Sequence, residues 1–179
     1  MKWINHCAIA AAITLPFNPA ALPISLAGAT APDWFEWILK AVGIKVKHRR
    51  QTHYLSNILI ALIIAFLLYK ISPFFMWFVL AYLSHWICDS LTITGVPISP
   101  LSKTNTTLFG GRIRTGEPKE YVLCFSILAF VLWVFMPNIE AFIHKKQIEF
   151  NVYLIDYKEL NQLDIIDNKE YLEHRFKFF

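Results

Sequence analysis

A histidine and a carboxylate, His85 and Asp89, stand four residues apart at the end of a long apolar run. On an α-helix the positions i and i+4 lie on the same face, so this spacing would direct an imidazole and a carboxylate towards one point. A metal ion could bind there, and ionisable groups at the edge of a membrane span are usually functional. The alternative is a helix end at which His85 makes a local hydrogen bond and Asp89 caps the next turn. This segment by itself supports both interpretations equally.

The apolar pattern places more potential ligands at the same membrane face. We predict three membrane spans, at 54–71, 74–91 and 121–143. The first span leaves one face and the second returns to it, so this face collects six side chains that can bind metal: Asp33, His48, His53, His85, Asp89 and Glu120. Taken together, these residues favour the metal site over the local alternative.

The N-terminal apolar segment, residues 7–31, is interrupted by Pro16, Pro19 and Pro23. Because proline disrupts the interior of a helix, the pieces on either side are each shorter than the roughly 20 residues of a full span. The segment is either one kinked span or a hairpin of two half-helices, and His6 joins the predicted site only in a hairpin. A signal peptide fits less well, because of the prolines and the length.

The composition is that of a membrane protein. The chain has 56% hydrophobic and 17% charged residues and a mean hydropathy of +0.44, against roughly 45–50% and 25% in soluble domains. Its net charge of +4 fits membrane topology or lipid headgroups better than nucleic acid, which we do not expect as a partner. The three cysteines lie in apolar segments without CxxC spacing, so they predict buried thiols.

We therefore predict an all-α fold: a polytopic membrane helical bundle with three clear spans, a proline-broken N-terminal helical segment and a small polar C-terminal tail. The membrane-embedded domain would be 1–143 and the extension 144–179. Within the extension, 148–154 alternates like a β-strand, and 157–175 could be helical. The sequence gives no indication of the oligomeric state.

Basic residues are concentrated at the face of the predicted site, against Lys70 in the short opposite turn. The positive-inside rule then places the site in the cytoplasm, although the tail, with basic residues of its own, would lie on the far side. The basic residues at the site face are Lys40, Lys45, Lys47, Arg49, Arg50, Lys103, Arg112, Arg114 and Lys119.

The chemistry of the six side chains and His6 is that of a divalent metal site. Neutral imidazole and carboxylate groups bind zinc, and also iron or manganese. An ion with one open position lowers the pKa of water towards ~7 and makes hydroxide available at neutral pH. Two aspartates and two histidines would be a sufficient ligand set: Asp33, His53, His85 and Asp89. Three residues remain for a second ion or for orienting the ligands: His6, His48 and Glu120.

Nearby arginines suggest a substrate class. Guanidinium groups match the geometry of phosphate, so Arg49 and Arg114, with Arg50 and Arg112, could bind a phosphorylated substrate. The simpler role of any single arginine is to set topology or to contact anionic lipid headgroups.

Over about residues 3–143 the chain resembles the YdjM-like family, small inner-membrane proteins described as predicted metal-dependent hydrolases. The resemblance lies in Asn5-His6, Ala31-Pro32-Asp33, His48-Arg-Arg-Gln-Thr-His53 and His85-Trp-Ile-Cys-Asp89-Ser-Leu-Thr-Ile-Thr-Gly95, followed by Arg114-Thr-Gly before Glu120. The family is in turn similar, distantly, to zinc-dependent phospholipase C, an all-helical phosphoesterase. That resemblance implies a primary metal held by Asp33, His53, His85 and Asp89, with His6 and Glu120 helping to hold further ions.

We therefore expect a multi-pass protein of the bacterial inner membrane that hydrolyses a phosphoester of a lipid or lipid-linked substrate. A divalent metal, most simply zinc, would activate water, Glu120 or a spare carboxylate would act as base, and Arg49 and Arg114 would hold the phosphate. Two alternatives stay open: a non-catalytic metal-binding membrane protein used in sensing, and an interaction module that binds a partner through its tail. A transporter fits less well, because the ionisable residues cluster at one face rather than at the bilayer midplane.

Overall fold

The computed structural model describes the backbone of residues 1–174 and the side chains of that range apart from 148–157, 173 and 174. The chain forms two compact units, Met1–Met136 and Pro137–Phe179. The candidate site lies entirely within the first unit. A division of the chain by function at residue 143 stays a prediction.

The fold is all-α, as predicted. Within residues 1–174 six α-helices follow one another: α1 (Trp3–Thr14), α2 (Leu22–Ala41), α3 (Leu55–Leu67), α4 (Pro73–Ser90), α5 (Pro118–Gln162) and α6 (Asn168–His174). Short 3₁₀ turns lie at Pro19–Ala21, Gln51–His53 and Leu108–Gly110. Residues 1–174 contain no β-strand, and only two isolated bridges, Thr92 with Ile113 and Val96 with Thr106, join parts of the loop after α4.

The β-strand expected at 148–154 is wrong, because these residues belong to α5. A helix pairs its backbone groups internally, whereas a lone strand needs a partner strand, and the described chain offers none. The helix expected at 157–175 is interrupted: α5 ends at Gln162 and α6 begins at Asn168, while residue 175 lies outside the described range.

The N-terminal segment is a helical hairpin. Its helices α1 and α2 pack against each other, and both pack against α4. Pro19 and Pro23 stand in the first turns of the 3₁₀ helix and of α2, positions where the missing N–H is tolerated. Of the alternatives left open by the sequence, the hairpin is the one present. Helix α2 also extends beyond the predicted end of this segment at residue 31, because it continues through Pro32 to Ala41.

Helix α4 lies at the centre of the first unit, in contact with α1, α2 and α3. Small residues permit this packing: Ala10, Ala29 and Ala81 form one buried cluster of α1, α2 and α4. At Gly28 the backbones of α2 and α4 are so close that a Cβ atom would lie 2.2 Å from the carbonyl oxygen of Phe78. This close approach of α2 to α4 therefore fixes the positions of the residues that follow it on both helices.

One described helical segment, Pro118–Gln147, is long and apolar enough to cross a membrane. Only 11% of its most apolar part is buried, so it is not the core helix of a soluble unit. Helix α3 is apolar but has 13 residues, fewer than the roughly 20 of a full span. The predicted spans at 54–71 and 74–91 correspond to α3 and α4, and their crossing of a membrane stays a prediction.

Candidate metal centre

Five side chains from four separate segments meet beside the end of α4. His85 and Asp89 lie on adjacent turns of α4, as their spacing predicts, and His6 comes from α1. Asp33 comes from α2, and His53 from the 3₁₀ turn before α3. His6, His53, His85 and Asp89 are buried and Asp33 is partly buried. The hairpin of α1 and α2 is what brings His6 and Asp33 to this point.

Asp89 stands among the three histidines. One of its oxygens, Oδ1, is 3.5 Å from Nε2 of His6, and the other, Oδ2, is 3.6 Å from Nε2 of His85 and 4.0 Å from Nε2 of His53. Asp33 approaches from the other side, with Oδ1 3.6 Å from Nε2 of His53. These separations exceed hydrogen-bond length, which leaves room for a cation between the groups.

The donor atoms fall into two overlapping sets. His6, His85 and Asp89 each offer an atom within 4.8 Å of the others, and so do Asp33, His53 and His85. The His6 and His85 rings stack at 3.7 Å between centroids, and the His53 ring is 5.1 Å from that of His85. Because His85 belongs to both sets, the five residues form one continuous donor cluster.

The imidazole nitrogens that face this cluster have no hydrogen-bond partner among the residues that the structure describes. Nε2 of His6, of His53 and of His85 are all buried and unsatisfied. A buried polar atom without a partner costs about 1–3 kcal/mol, and three of them meet at the same two carboxylates. Neutral imidazole nitrogen and carboxylate oxygen are the ligands of zinc and related divalent ions. The residues present therefore fit a divalent metal ion.

Outer contacts hold the ligands in orientation. His85 Nδ1 donates to the carbonyl oxygen of Ala29 at 2.6 Å, and since a carbonyl only accepts, the proton is on Nδ1 and the lone pair on Nε2. His53 Nδ1 lies 2.9 Å from the Thr52 hydroxyl. The indole of Trp3 donates to Asp33 Oδ2 at 2.6 Å. The contact with Ala29 depends on the close approach of α2 to α4.

Two of the ligands are in their metal-binding protonation states at neutral pH. Burial lowers the pKa of His53 below its usual value of 6.5, so its imidazole is neutral. Burial would raise the pKa of Asp33, but its interactions with His53, His85 and Trp3 outweigh burial and bring the pKa down to about 2. Asp33 is therefore a carboxylate.

Asp89 also contacts two positive groups. Arg49 lies with Nε 3.3 Å from Oδ2 and with a terminal nitrogen 3.3 Å from Oδ1. The N-terminal amino group of Met1 also contacts Oδ1. The guanidinium group of Arg49 also donates hydrogen bonds to the hydroxyl of Thr92, at 3.2 Å, and to that of Thr94. Arg49, one of the predicted phosphate-binding residues, therefore lies directly beside the cluster.

A third group of donors contains a residue that the sequence interpretation missed. Asp33, Glu36 and His48 offer atoms within 4.8 Å of one another. Glu36 is buried, and its carboxylate accepts from Nδ1 of His48 at 2.8 Å and from Lys40 at 3.2 Å. Its spacing of three from Asp33 would have indicated the shared helical face.

Glu120 and Arg114 lie apart from these groups. Among the described residues the Glu120 carboxylate accepts three N–H groups, from Lys2 at 2.5 Å, Asn5 at 2.6 Å and Gly116 at 2.6 Å. It thereby ties the start of α5 to the start of α1. The Arg114 side chain is 75% exposed and 3.9 Å from Glu117, and it lines a small pocket with the loop that follows α4.

An open cleft of about 410 Å³ gives access to the cluster. It is lined by ligands and basic residues together: Met1, Lys2, Trp3, Asp33, Glu36, Trp37, Lys40, His48, Arg49, Asp89 and Thr115. Basic groups beside two candidate ligands suit an anionic molecule bound next to a metal ion.

Comparison with known proteins agrees with the resemblance seen in the sequence. The family model described as YdjM inner membrane protein matches residues 1–152, and the chain belongs to this family. No curated protein and no solved structure matches the chain. The more distant similarity to zinc-dependent phospholipase C stays a prediction.

Proposed function

We propose that this member of the YdjM inner membrane protein family is a metal-dependent hydrolase that cleaves a phosphoester of a lipid or lipid-linked substrate. One observation carries the proposal: three buried histidine nitrogens, which have no hydrogen-bond partner in the described part of the chain, surround two carboxylates that line an open cleft. A purely structural cluster would have satisfied these nitrogens with hydrogen bonds.

The ion would be held by Asp33, His53, His85 and Asp89, with His6 as a further donor. When bound, a divalent ion of this kind supplies positive charge to a phosphoryl group and lowers the pKa of water. Histidine and carboxylate ligands suit zinc best, and iron and manganese are also compatible with them.

Arg49 would bind the phosphoryl group. It contacts Asp89 and borders the cleft, and a guanidinium fork matches two phosphate oxygens. A cation bound by Asp89 would compete for the carboxylate and release donors of Arg49 to the substrate. Arg114, exposed on the nearby loop, would contribute attraction for an anion at longer range.

A general base is needed only for water that the ion has not already activated. Glu120 is a poor choice by its contacts, because three N–H donors occupy its carboxylate. Glu36 borders the cleft and is the spare carboxylate nearest to the ligands. Its contact with His48 makes the pair suited to proton transfer.

The membrane location supports a lipid or lipid-linked substrate. The family is one of inner membrane proteins, and the segment Pro118–Gln147 can span a bilayer. Large apolar side chains of α3 are exposed, among them Ile63, Phe66 and Leu67, as expected for a lipid-facing helix. We place the cleft at the cytoplasmic face on the positive-inside rule, with α3 and α4 as the other two spans.

Metal analysis of the purified protein in detergent, beside His85→Ala and Asp89→Ala, tests the proposal. We expect stoichiometric zinc, iron or manganese in the wild type and its loss in both variants, followed by phosphoester hydrolysis that depends on that metal. Absence of metal after reconstitution with each ion would refute the proposal. Bound metal without hydrolysis of any phosphoester lipid would favour the non-catalytic metal-binding protein.

A further inference from the structure

The pair Glu36 and His48 differs from the other candidate ligands in burial and contacts. Glu36 is a buried carboxylate, and a buried charge is costly unless it is paired. Its partners are Nδ1 of His48 at 2.8 Å and Nζ of Lys40 at 3.2 Å. The His48 side chain is 66% exposed, whereas the histidines of the donor cluster are buried with unsatisfied nitrogens.

The contact with Glu36 determines what His48 can do. A carboxylate only accepts, so Nδ1 carries a proton whether the ring is neutral or positively charged. Nε2, on the opposite side of the ring, is then the nitrogen that can gain and lose the second proton. A carboxylate behind an imidazole fixes its tautomer and its orientation, the arrangement found in catalytic triads. An exposed and oriented imidazole is thus better suited to proton transfer than to metal binding.

The cleft places this imidazole beside the candidate metal ligands. Asp33, Asp89, Arg49 and His48 line the same open space, and the His48 ring lies 6.2 Å from that of His53. A phosphoryl group held by Arg49 next to Asp89 would have His48 within the same cleft.

We propose that His48 donates the proton to the leaving group of the phosphoester, with Glu36 as the positioning residue. The inference rests on the proposed hydrolase function. The oxygen of water bonds to phosphorus, and the bond from phosphorus to the leaving oxygen breaks with its electron pair on that oxygen. His48 acts in its imidazolium form, with a proton on each ring nitrogen. The leaving oxygen takes the proton of Nε2, and the proton lost by the attacking water returns to Nε2 through solvent.

The proposal specifies a substrate class. An alcohol such as glycerol leaves poorly as its anion, so cleavage of an alkyl phosphoester benefits from a proton donor. A nitrophenol leaves readily as its anion and does not require one. A proton donor in the cleft therefore points to alkyl phosphoesters as substrates, the class to which lipid headgroup esters belong.

The test compares two lipids that differ in the leaving group. Metal-loaded full-length protein in detergent is assayed for release of glycerol from phosphatidylglycerol and for release of p-nitrophenol from the same phosphatidyl lipid with p-nitrophenol as the headgroup alcohol. The variants are His48→Gln, Glu36→Gln and, as a control from the same exposed loop, Lys45→Gln. Metal content and thermal unfolding are measured for each.

For His48→Gln we expect a loss in kcat of at least about 100-fold on phosphatidylglycerol and below about threefold on the nitrophenyl lipid. Glu36→Gln should show the same selectivity to a smaller extent, and Lys45→Gln neither effect. Metal content should stay at the wild-type value in all three.

Three results would overturn the assignment. Equal losses on both lipids would make His48 structural. Loss of one metal equivalent from His48→Gln would make Asp33, Glu36 and His48 a second cation site. A wild-type protein that binds metal and hydrolyses neither lipid would remove the hydrolase function itself, and the proton donor with it.

Discussion

Replacing Gly28 by alanine should damage the candidate metal centre without touching a candidate ligand. The new Cβ would lie 2.2 Å from the carbonyl oxygen of Phe78, whereas real Cβ atoms essentially never approach closer than 3.0 Å. Both groups belong to helix backbones, so α2 and α4 must separate by about 0.8 Å at this point, since packed interiors have few voids to absorb the methyl group. Overpacking of this kind costs about 1–3 kcal/mol of unfolding free energy.

The same separation would spread the ligands. Asp33 lies on α2 and Asp89 on α4. The hydrogen bond of 2.6 Å from His85 to the carbonyl oxygen of Ala29 joins the two helices one residue after Gly28. Metal–ligand distances tolerate only about ±0.2 Å, far less than the shift. We expect metal affinity to fall at least about tenfold, the lower limit for disturbed support of a metal ligand.

Titration of the metal against a competing chelator, with thermal unfolding of the same samples, measures both effects. Ala41→Ser is the control, because it adds one atom at the exposed end of α2. If Gly28→Ala binds metal as tightly as the wild type and unfolds at the same temperature, the spacing of α2 and α4 does not control the site.

Two further predictions concern stability. Glu120→Gln should lower the unfolding temperature and leave the metal content unchanged. The reason is that the Glu120 carboxylate accepts hydrogen bonds from Lys2, Asn5 and Gly116 rather than facing the cluster. Loss of metal from this variant would instead make Glu120 a ligand. Metal-free protein should lose stability as the pH falls below 6.5. Burial lowers the pKa of His53 in the folded state, so below pH 6.5 the unfolded chain binds a proton at His53 more readily than the folded chain does, and protonation favours unfolding. Thermal unfolding between pH 8 and 5 should show this decline, and it should be shallower in His53→Gln; parallel curves for the two proteins would exclude His53 as its source.

Local periodicity made part of the site predictable from the sequence. The four-residue spacing of His85 and Asp89 depends only on helix geometry, and both side chains indeed lie on one face of α4. The long apolar run after residue 120 likewise identified a helix that can span a membrane. The family resemblance seen over residues 3–143 is confirmed by the match over 1–152.

Other features depended on contacts between distant segments. The prolines of the N-terminal segment allowed both a kinked span and a hairpin, and packing of α1 and α2 on α4 decided for the hairpin and brought His6 to His85. Glu36 was overlooked because its burial beside His48 arises only when the loop folds back over α2.

The sequence by itself determined the helical class and the ligand types, because helix periodicity and residue chemistry act over a few neighbouring positions. Only the tertiary structure decided which donors converge. That choice depends on the distance between helices. Here a glycine and three alanines allow α1, α2 and α4 to approach closely enough for their donor groups to meet.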